Sequence, residues 1–289
     1  MATETGFFKG PENTQIFYQC WLPQDDPKAV LIVVHGLAEH SGRYMNLVNC
    51  LVPNGYAVYG LDHYGHGKSQ GKRLYVPEFN VFKRTLDQFV NQVKEWETGK
   101  PVFLIGHSMG GLISSAYLLD HQEKVNGAIL SGPGVKIPDH VTSVTRTAAR
   151  VFSHLMPKLG ITQLDAKDIS RDPEVVKAYV NDPLVSVGKI TARLASQMLD
   201  ACDAVVRRSP ELTLPLLLLH GGADALVDLE GSQQFHESIS SRDKKLIVYE
   251  DKYHEIFNDP GFEQVFSDIE DWLSQHLTDP KKTRPVSAS

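Results

Sequence analysis

Ser108 lies in Gly106-His107-Ser108-Met109-Gly110-Gly111, directly after the apolar run Val102-Phe103-Leu104-Ile105 and just before a helical pattern that starts near Leu112. Gly-x-Ser-x-Gly between a strand and a helix lifts a hydroxyl out of a sharp turn, and the small flanking residues make room for strained backbone there. The helix that follows aims its N-terminal amides at the same point. A seryl hydroxyl is a weak nucleophile at neutral pH. It needs a base within hydrogen-bond reach and a third group to orient that base. The chemistry on offer is acyl transfer through a covalent acyl-serine.

In such an arrangement the acid comes next in the chain and the histidine last, each on a loop after a later strand. Asp224 follows the run at 214–220 and the turn Gly221-Gly222-Ala223, which makes it the expected orienting acid. Its neighbour Asp228 is better placed to cap a helix beginning around Gly231 or Ser232. His254 follows the last strand pattern, Leu246-Ile247-Val248-Tyr249, and precedes the closing helix, whose end holds His276, so His254 is the expected general base. The oxyanion of the transition state requires two backbone donors. The amide of Met109 is one, and the loop after Leu31-Ile32-Val33-Val34 offers Leu37 as the other. His35, at the head of that loop, reads as a brace. His63 and His66 form His-x-x-His inside Asp62-His63-Tyr64-Gly65-His66-Gly67-Lys68-Ser69, where the glycines describe a tight loop rather than the helical spacing of a zinc pair. The expectation is no metal and no cofactor.

These residues have to be held by a scaffold. Short apolar runs at 29–34, 56–60, 102–105, 128–131, 214–220 and 245–249 mostly lack period-two alternation, as strands buried on both faces of a parallel sheet do. Segments at 81–97, 112–120, 232–240 and 262–276 space apolar residues by three and four and read as covering helices. The class is α/β: a mostly parallel sheet flanked by helices, the α/β-hydrolase fold. Between 131 and 214 the rhythm breaks for far longer than one crossover needs. The division expected is therefore core at 1–131, a helical cap insertion at 132–211, core again at 212–277 and a flexible polar tail at 278–289. Within the insertion, Val141, Val144, Ala148, Val151 and Leu155 form an apolar stripe opposed by Thr142, Arg146, Arg150 and Ser153. A second stripe runs through Ile190, Leu194, Met198 and Ala201. Both stripes are candidates for packing on the core. Arg146 and Arg150 beside the first also suit transient contact with a membrane surface.

With 289 residues, 42% of them hydrophobic and 22% charged, the chain can bury one full-sized core. A net charge of −6 without a long basic run excludes a nucleic-acid partner from the expectation. Cys20, Cys50 and Cys202 are odd in number and far apart, which points away from a disulfide framework and toward a reducing, cytoplasmic setting. The N-terminus lacks the basic and apolar regions of a secretory signal, and no run approaches the roughly 18 apolar residues of a membrane span.

Four stretches, His35-Gly36-Leu37-Ala38-Glu39-His40-Ser41-Gly42-Arg43-Tyr44, Asp62-x-x-Gly65-His66-Gly67-x-Ser69, Gly106-His107-Ser108-Met109-Gly110-Gly111 and Gly222-Ala223-Asp224, together resemble the monoacylglycerol lipases and their lysophospholipase-like relatives. The similarity spans nearly the whole chain, including Tyr179-Val180-Asn181-Asp182-Pro183-Leu184. The resemblance implies cleavage of monoacylglycerol to fatty acid and glycerol by a cytosolic or peripherally membrane-bound enzyme whose insertion is a lipophilic cap over an acyl tunnel. It also implies that Glu39, Arg43 and Tyr179 hold the glycerol head group. Read from the residues alone, Glu39 and Arg43 could equally pair with each other and brace the loop. Mammalian members carry a histidine three residues after the catalytic one, where this chain has Phe257, and cysteines near their site are replaced by Ser186 and Val227. Three readings stay open here: a monoacylglycerol lipase, a lysophospholipase or general carboxylesterase, and a non-catalytic binding module using the same cavity.

Overall fold

A computed structural model describes residues 1–137 and 141–278. The tail from 279 onward, which includes nearly all of the expected flexible segment, lies outside the described residues.

Five of the six apolar runs become strands buried along their whole length, and the sixth, at 245–249, becomes a half-buried edge strand. In chain order the core is built from β1 (Ala2–Lys9), β2 (Gln15–Leu22), β3 (Ala29–Val34), α1 (Met45–Leu51), β4 (Tyr56–Leu61), α2 (Asn80–Trp96), β5 (Val102–His107), α3 (Met109–His121) and β6 (Gly127–Ser131). The intervening segment carries α4 (Ser143–Leu155), β7 (Gly160–Thr162), α5 (Pro173–Asn181), β8 (Ile190–Thr191) and α6 (Ala192–Arg208). The core resumes with β9 (Leu216–Gly221), α7 (Leu229–Ser238), β10 (Lys244–Tyr249) and α8 (Phe262–Thr278). Eight strands join in the order β1-β2-β4-β3-β5-β6-β9-β10, while β7 and β8 form a separate pair. From β4 to β10 the pairs are parallel, and β1 and β2 add an antiparallel edge that the apolar pattern did not announce. β1 escapes that pattern because most of its side chains are exposed and its order comes from a full-length ladder with β2.

Two apolar layers sandwich the sheet. On one face Phe82, Leu86, Phe89 and Val93 of α2 meet α3, which is buried on every side from Met109 to Leu119. On the other, Val265, Phe266, Ile269 and Leu273 of α8 pack with Leu47, Val48 and Leu51 of α1. At about 25 cal/mol for each Å² of apolar surface removed from water, these layers supply the drive that fixes the strand ends carrying the site.

The two stripes of the insertion behave differently. Leu194 and Ala201 of α6 are buried with Ile190 against the core layer that includes α3. The α4 stripe faces solvent instead: Val144 is 76% exposed, Leu155 75% and Val151 49%. Of the two readings of this stripe, packing on the core is the one its exposed side chains do not support, and its arginines are engaged within the protein. Arg146 pairs with Asp203 and Arg150 with Asp200, both on α6. The reason is local: α6 offers its apolar side to α3 and its carboxylates outward, so α4 docks by its cationic side and turns the apolar side away.

Candidate active site

Ser108 lies between β5 and α3, as the residue capping the helix, at φ 55° and ψ −119°, in the left-handed region where a residue with a side chain is strained. The helix starts at Met109, three residues before the apolar pattern suggested, because Gly110 and Gly111 extend it in spite of their low helix propensity. Gly110 is required there: a Cβ on it would stand 1.9 Å from the Val34 carbonyl oxygen, so only glycine lets α3 approach β3 this closely. The turn is held by hydrogen bonds from Ser108 N to Ser131 O (2.9 Å) and from Gly134 N to Ser108 O (3.1 Å).

Asp224 and His254 sit on the loops after β9 and β10. His254 Nδ1 lies 2.7 Å from Asp224 Oδ2. The Asp224 side chain is fully buried, and its Oδ1 accepts from the amides of Leu226 (2.8 Å) and Val227 (3.0 Å). Burial pushes this carboxyl toward neutrality, but His254 and His220 outweigh it and hold the group well below the usual carboxylate range. His220, which the sequence reading passed over, is itself fixed by Ser232 Oγ at 2.7 Å and the Val227 carbonyl at 3.0 Å. Burial likewise lowers His254, and the Asp224 carboxylate overcomes it, so the imidazole titrates above its ordinary value of 6.5. Asp228 takes no part: it caps α7 by accepting from Glu230 N and pairs with Lys136. That helix begins at Leu229, slightly earlier than expected.

The loops converge. A Cβ built on Gly132 would meet His254 Nδ1 at 3.3 Å and Asp224 Oδ2 at 3.4 Å, and one on Gly36 would meet the Ser108 Cβ at 3.3 Å. His107, beside Ser108, lies 4.7 Å from the His254 ring centroid to centroid. Leu37 and Met109 are both buried, and among the described residues neither backbone amide makes a turn or capping hydrogen bond. His35 braces its loop, accepting from His63 N at 2.9 Å on Nε2. His63 and His66 pack against His35 and Phe82 as buried rings.

Glu39, Arg43 and Tyr179 come together beside this centre, and the first two do pair. Glu39 Oε1 accepts from Gly36 N (2.6 Å) and the Tyr44 hydroxyl (2.8 Å), while Oε2 faces Arg43 Nε at 3.3 Å. The Arg43 guanidinium lies over the Tyr179 ring at 4.6 Å. It also meets Glu255, with Nη2 2.5 Å from Oε2. Glu255 was missed in the sequence, although its place beside His254 was visible and a buried Arg43 needs more than one acceptor. Phe257 packs into an aromatic group with Tyr44, His107 and Phe266.

The segment between β6 and β9 is tied to the loop after β3. Ser186 N donates to Ala38 O (2.8 Å), and His40 Nε2 lies 2.9 Å from Asp182 Oδ2. Between them opens a cavity of about 570 Å³ lined in part by Ala38, Leu74, Leu164, Tyr179, Val187 and Ile190.

The chain is similar to known proteins over nearly its whole length. Residues 25–261 match the family model described as serine aminopeptidase, S33. A monoacylglycerol lipase of Mycolicibacterium smegmatis is 37% identical over 93% of this chain and 96% of its own. The human monoglyceride lipase is 37% identical over 91% of this chain and 88% of its own. A crystal structure of monoacylglycerol lipase from Paleococcus ferrophilus superposes with a TM-score of 0.79 at 32% identity, covering 96% of this chain and all of that one.

Proposed function

The chain belongs to this serine-hydrolase family and, within it, to the monoglyceride lipases, and from that premise we propose that it hydrolyses monoacylglycerols to fatty acid and glycerol through an acyl-serine on Ser108. It is a carboxylic ester hydrolase. The observation that carries the residue assignment is the buried His254–Asp224 pair at 2.7 Å, set against the strained turn of Ser108.

Ser108 Oγ attacks the ester carbonyl while His254 Nε2 takes its proton. Asp224, bound at Nδ1, keeps the other nitrogen free and stabilises the imidazolium. The amides of Leu37 and Met109 receive the oxyanion. The imidazolium returns the proton to the departing glycerol oxygen, and water, activated by the same histidine, releases the fatty acid from the serine. The cavity between the oxyanion loop and the cap accommodates the acyl chain, and Glu39, Arg43 and Tyr179 face the glycerol. The exposed apolar side of α4 serves peripheral contact with the lipid surface that supplies substrate, since a row of exposed apolar side chains on one helix is a membrane-facing feature. No helix among the described residues is long and apolar enough to cross a membrane.

Steady-state kcat/KM with 1-oleoylglycerol, oleoyl lysophosphatidylcholine and methyl oleate tests the reading. Monoacylglycerol should rank first, because a site that hydrogen-bonds glycerol hydroxyls penalises esters lacking them. Lysophosphatidylcholine equal to or above monoacylglycerol would favour a lysophospholipase instead.

A further inference from the structure

Arg43 is the cation among the proposed head-group residues, and its surroundings are unusual. Its side chain is 8% exposed and meets two carboxylates, Glu39 at 3.3 Å and Glu255 at 2.5 Å, that are equally buried. Glu255 is pinned from both ends. Its Oε2 also accepts from Asn258 Nδ2 (2.9 Å), and its backbone amide donates to Ile169 O of the cap segment (2.8 Å). Glu39, Tyr44, His107, Glu255, Phe257 and Asn258 line a water-sized cavity beside these groups, with no lysine or arginine among the lining residues. Burial holds His107 in its neutral form, so it brings no positive charge either.

Arginine binds phosphate through a free planar fork and an uncompensated charge. Here the Nε and Nη2 edge of the guanidinium is occupied by two carboxylates and the charge is balanced. With Glu39 ionised the cluster is net negative; with Glu39 protonated, as burial and the nearby Glu255 favour, it is neutral. In neither form is positive charge left over. A glycerol hydroxyl needs only a hydrogen-bond acceptor, and buried carboxylates supply that.

We propose that Glu255 is a specificity-determining residue: by closing a second carboxylate onto Arg43, it spends the guanidinium's charge and leaves a leaving-group pocket that takes an uncharged polyol and turns away a phosphate-bearing one. This rests on the monoacylglycerol reading above and deepens it.

The test compares 1-oleoylglycerol with 1-oleoylglycerol 3-phosphate, both below their aggregation thresholds, in wild type, Glu255→Gln, Arg43→Gln and the double variant. Wild type should strongly prefer the uncharged ester. Glu255→Gln keeps an amide oxygen for Arg43 but removes the charge, and it should raise the phosphate-to-glycerol ratio of kcat/KM at least about tenfold, the order of one unit-charge interaction across a few ångströms of water. In the Arg43→Gln background the same change should leave the ratio where it was, because no guanidinium remains to be released. A ratio unmoved by Glu255→Gln, or moved equally in both backgrounds, overturns the proposal. Should Glu255→Gln not fold, wild type decides: inhibition by glycerol but not by glycerol 3-phosphate supports the proposal, and equal inhibition by both contradicts it. Poor turnover of 1-oleoylglycerol by wild type would instead remove the lipase reading itself, which keeps the two failures apart.

Discussion

Polar groups are treated in opposite ways at the two ends of this molecule. Around Asp224 and His254, side chains that water would otherwise solvate are buried and matched at 2.7–3.0 Å by each other and by loop amides. On α4 of the cap the ion pairs with α6 remain half in solvent, and the apolar residues are the ones left outside. Burying a carboxylate is costly unless it is fully paired, so the first region tolerates almost no change of a single group. The second is held by exposed ion pairs that are individually weak, and among the described residues its apolar side lies largely in solvent. What the contrast teaches is that the proposed chemistry rests on buried, fully paired groups, while α4 can vary its exposed side without disturbing them.

The largest difference should appear between two aspartates four residues apart. Asp224→Asn removes the group that orients His254 and should lower kcat by about four orders of magnitude. Asp228→Asn removes only a helix cap and an exposed ion pair, and activity should stay within about tenfold of wild type. Parallel kinetics and melting curves check both, and a reversed ranking would move the triad to Asp228.

The pH profile sharpens the same point. The proposed base works only when unprotonated, and the Asp224 carboxylate holds His254 above 6.5. The acid limb of kcat/KM for the free enzyme should therefore have its midpoint above that value, with activity falling as pH drops through it. In Asp224→Asn the residual activity should show a limb displaced to lower pH. A wild-type midpoint at or below 6.5 would mean that Asp224 does not govern the imidazole.

The smallest effect on chemistry is expected from the cap. Val144→Ser with Val151→Ser should leave turnover of a dispersed short-chain ester unchanged and lower binding to phosphatidylcholine vesicles severalfold, on the scale of about 0.8 kcal/mol per methylene withdrawn from lipid. Flotation with vesicles measures it. Unchanged binding would show that this side of α4 is not the lipid-facing one.

The contrast also explains what could be read from the sequence. Five of the parallel strands were legible because residues such as Ala29–Val34 are buried on both faces and must be apolar throughout, and the sixth, Lys244–Tyr249, still shows an apolar run although it is a half-buried edge. Ser108, Asp224 and His254 stood out because each follows such a strand. β1 and β2 were not visible, since an exposed edge strand such as Ala2–Lys9 carries little pattern of its own. The direction in which α4 faces could not be read either. Its periodicity gave a stripe, but the side that docks was decided by Asp200 and Asp203, some fifty residues later in the chain. Glu255 was hidden for a similar reason: its partner Arg43 lies on the oxyanion loop at the other end of the sequence.

Labelling of Ser108 tests the central claim most directly. Wild type treated with a fluorophosphonate and analysed by peptide mass spectrometry should carry one adduct, on the peptide containing Ser108, accumulating in step with loss of 1-oleoylglycerol hydrolysis. Ser108→Ala, folded as judged by its melting curve, should take up no label and retain no more than about one ten-thousandth of the activity. Full labelling of Ser108 with hydrolysis intact, or inactivation with the adduct on another residue, would contradict the account.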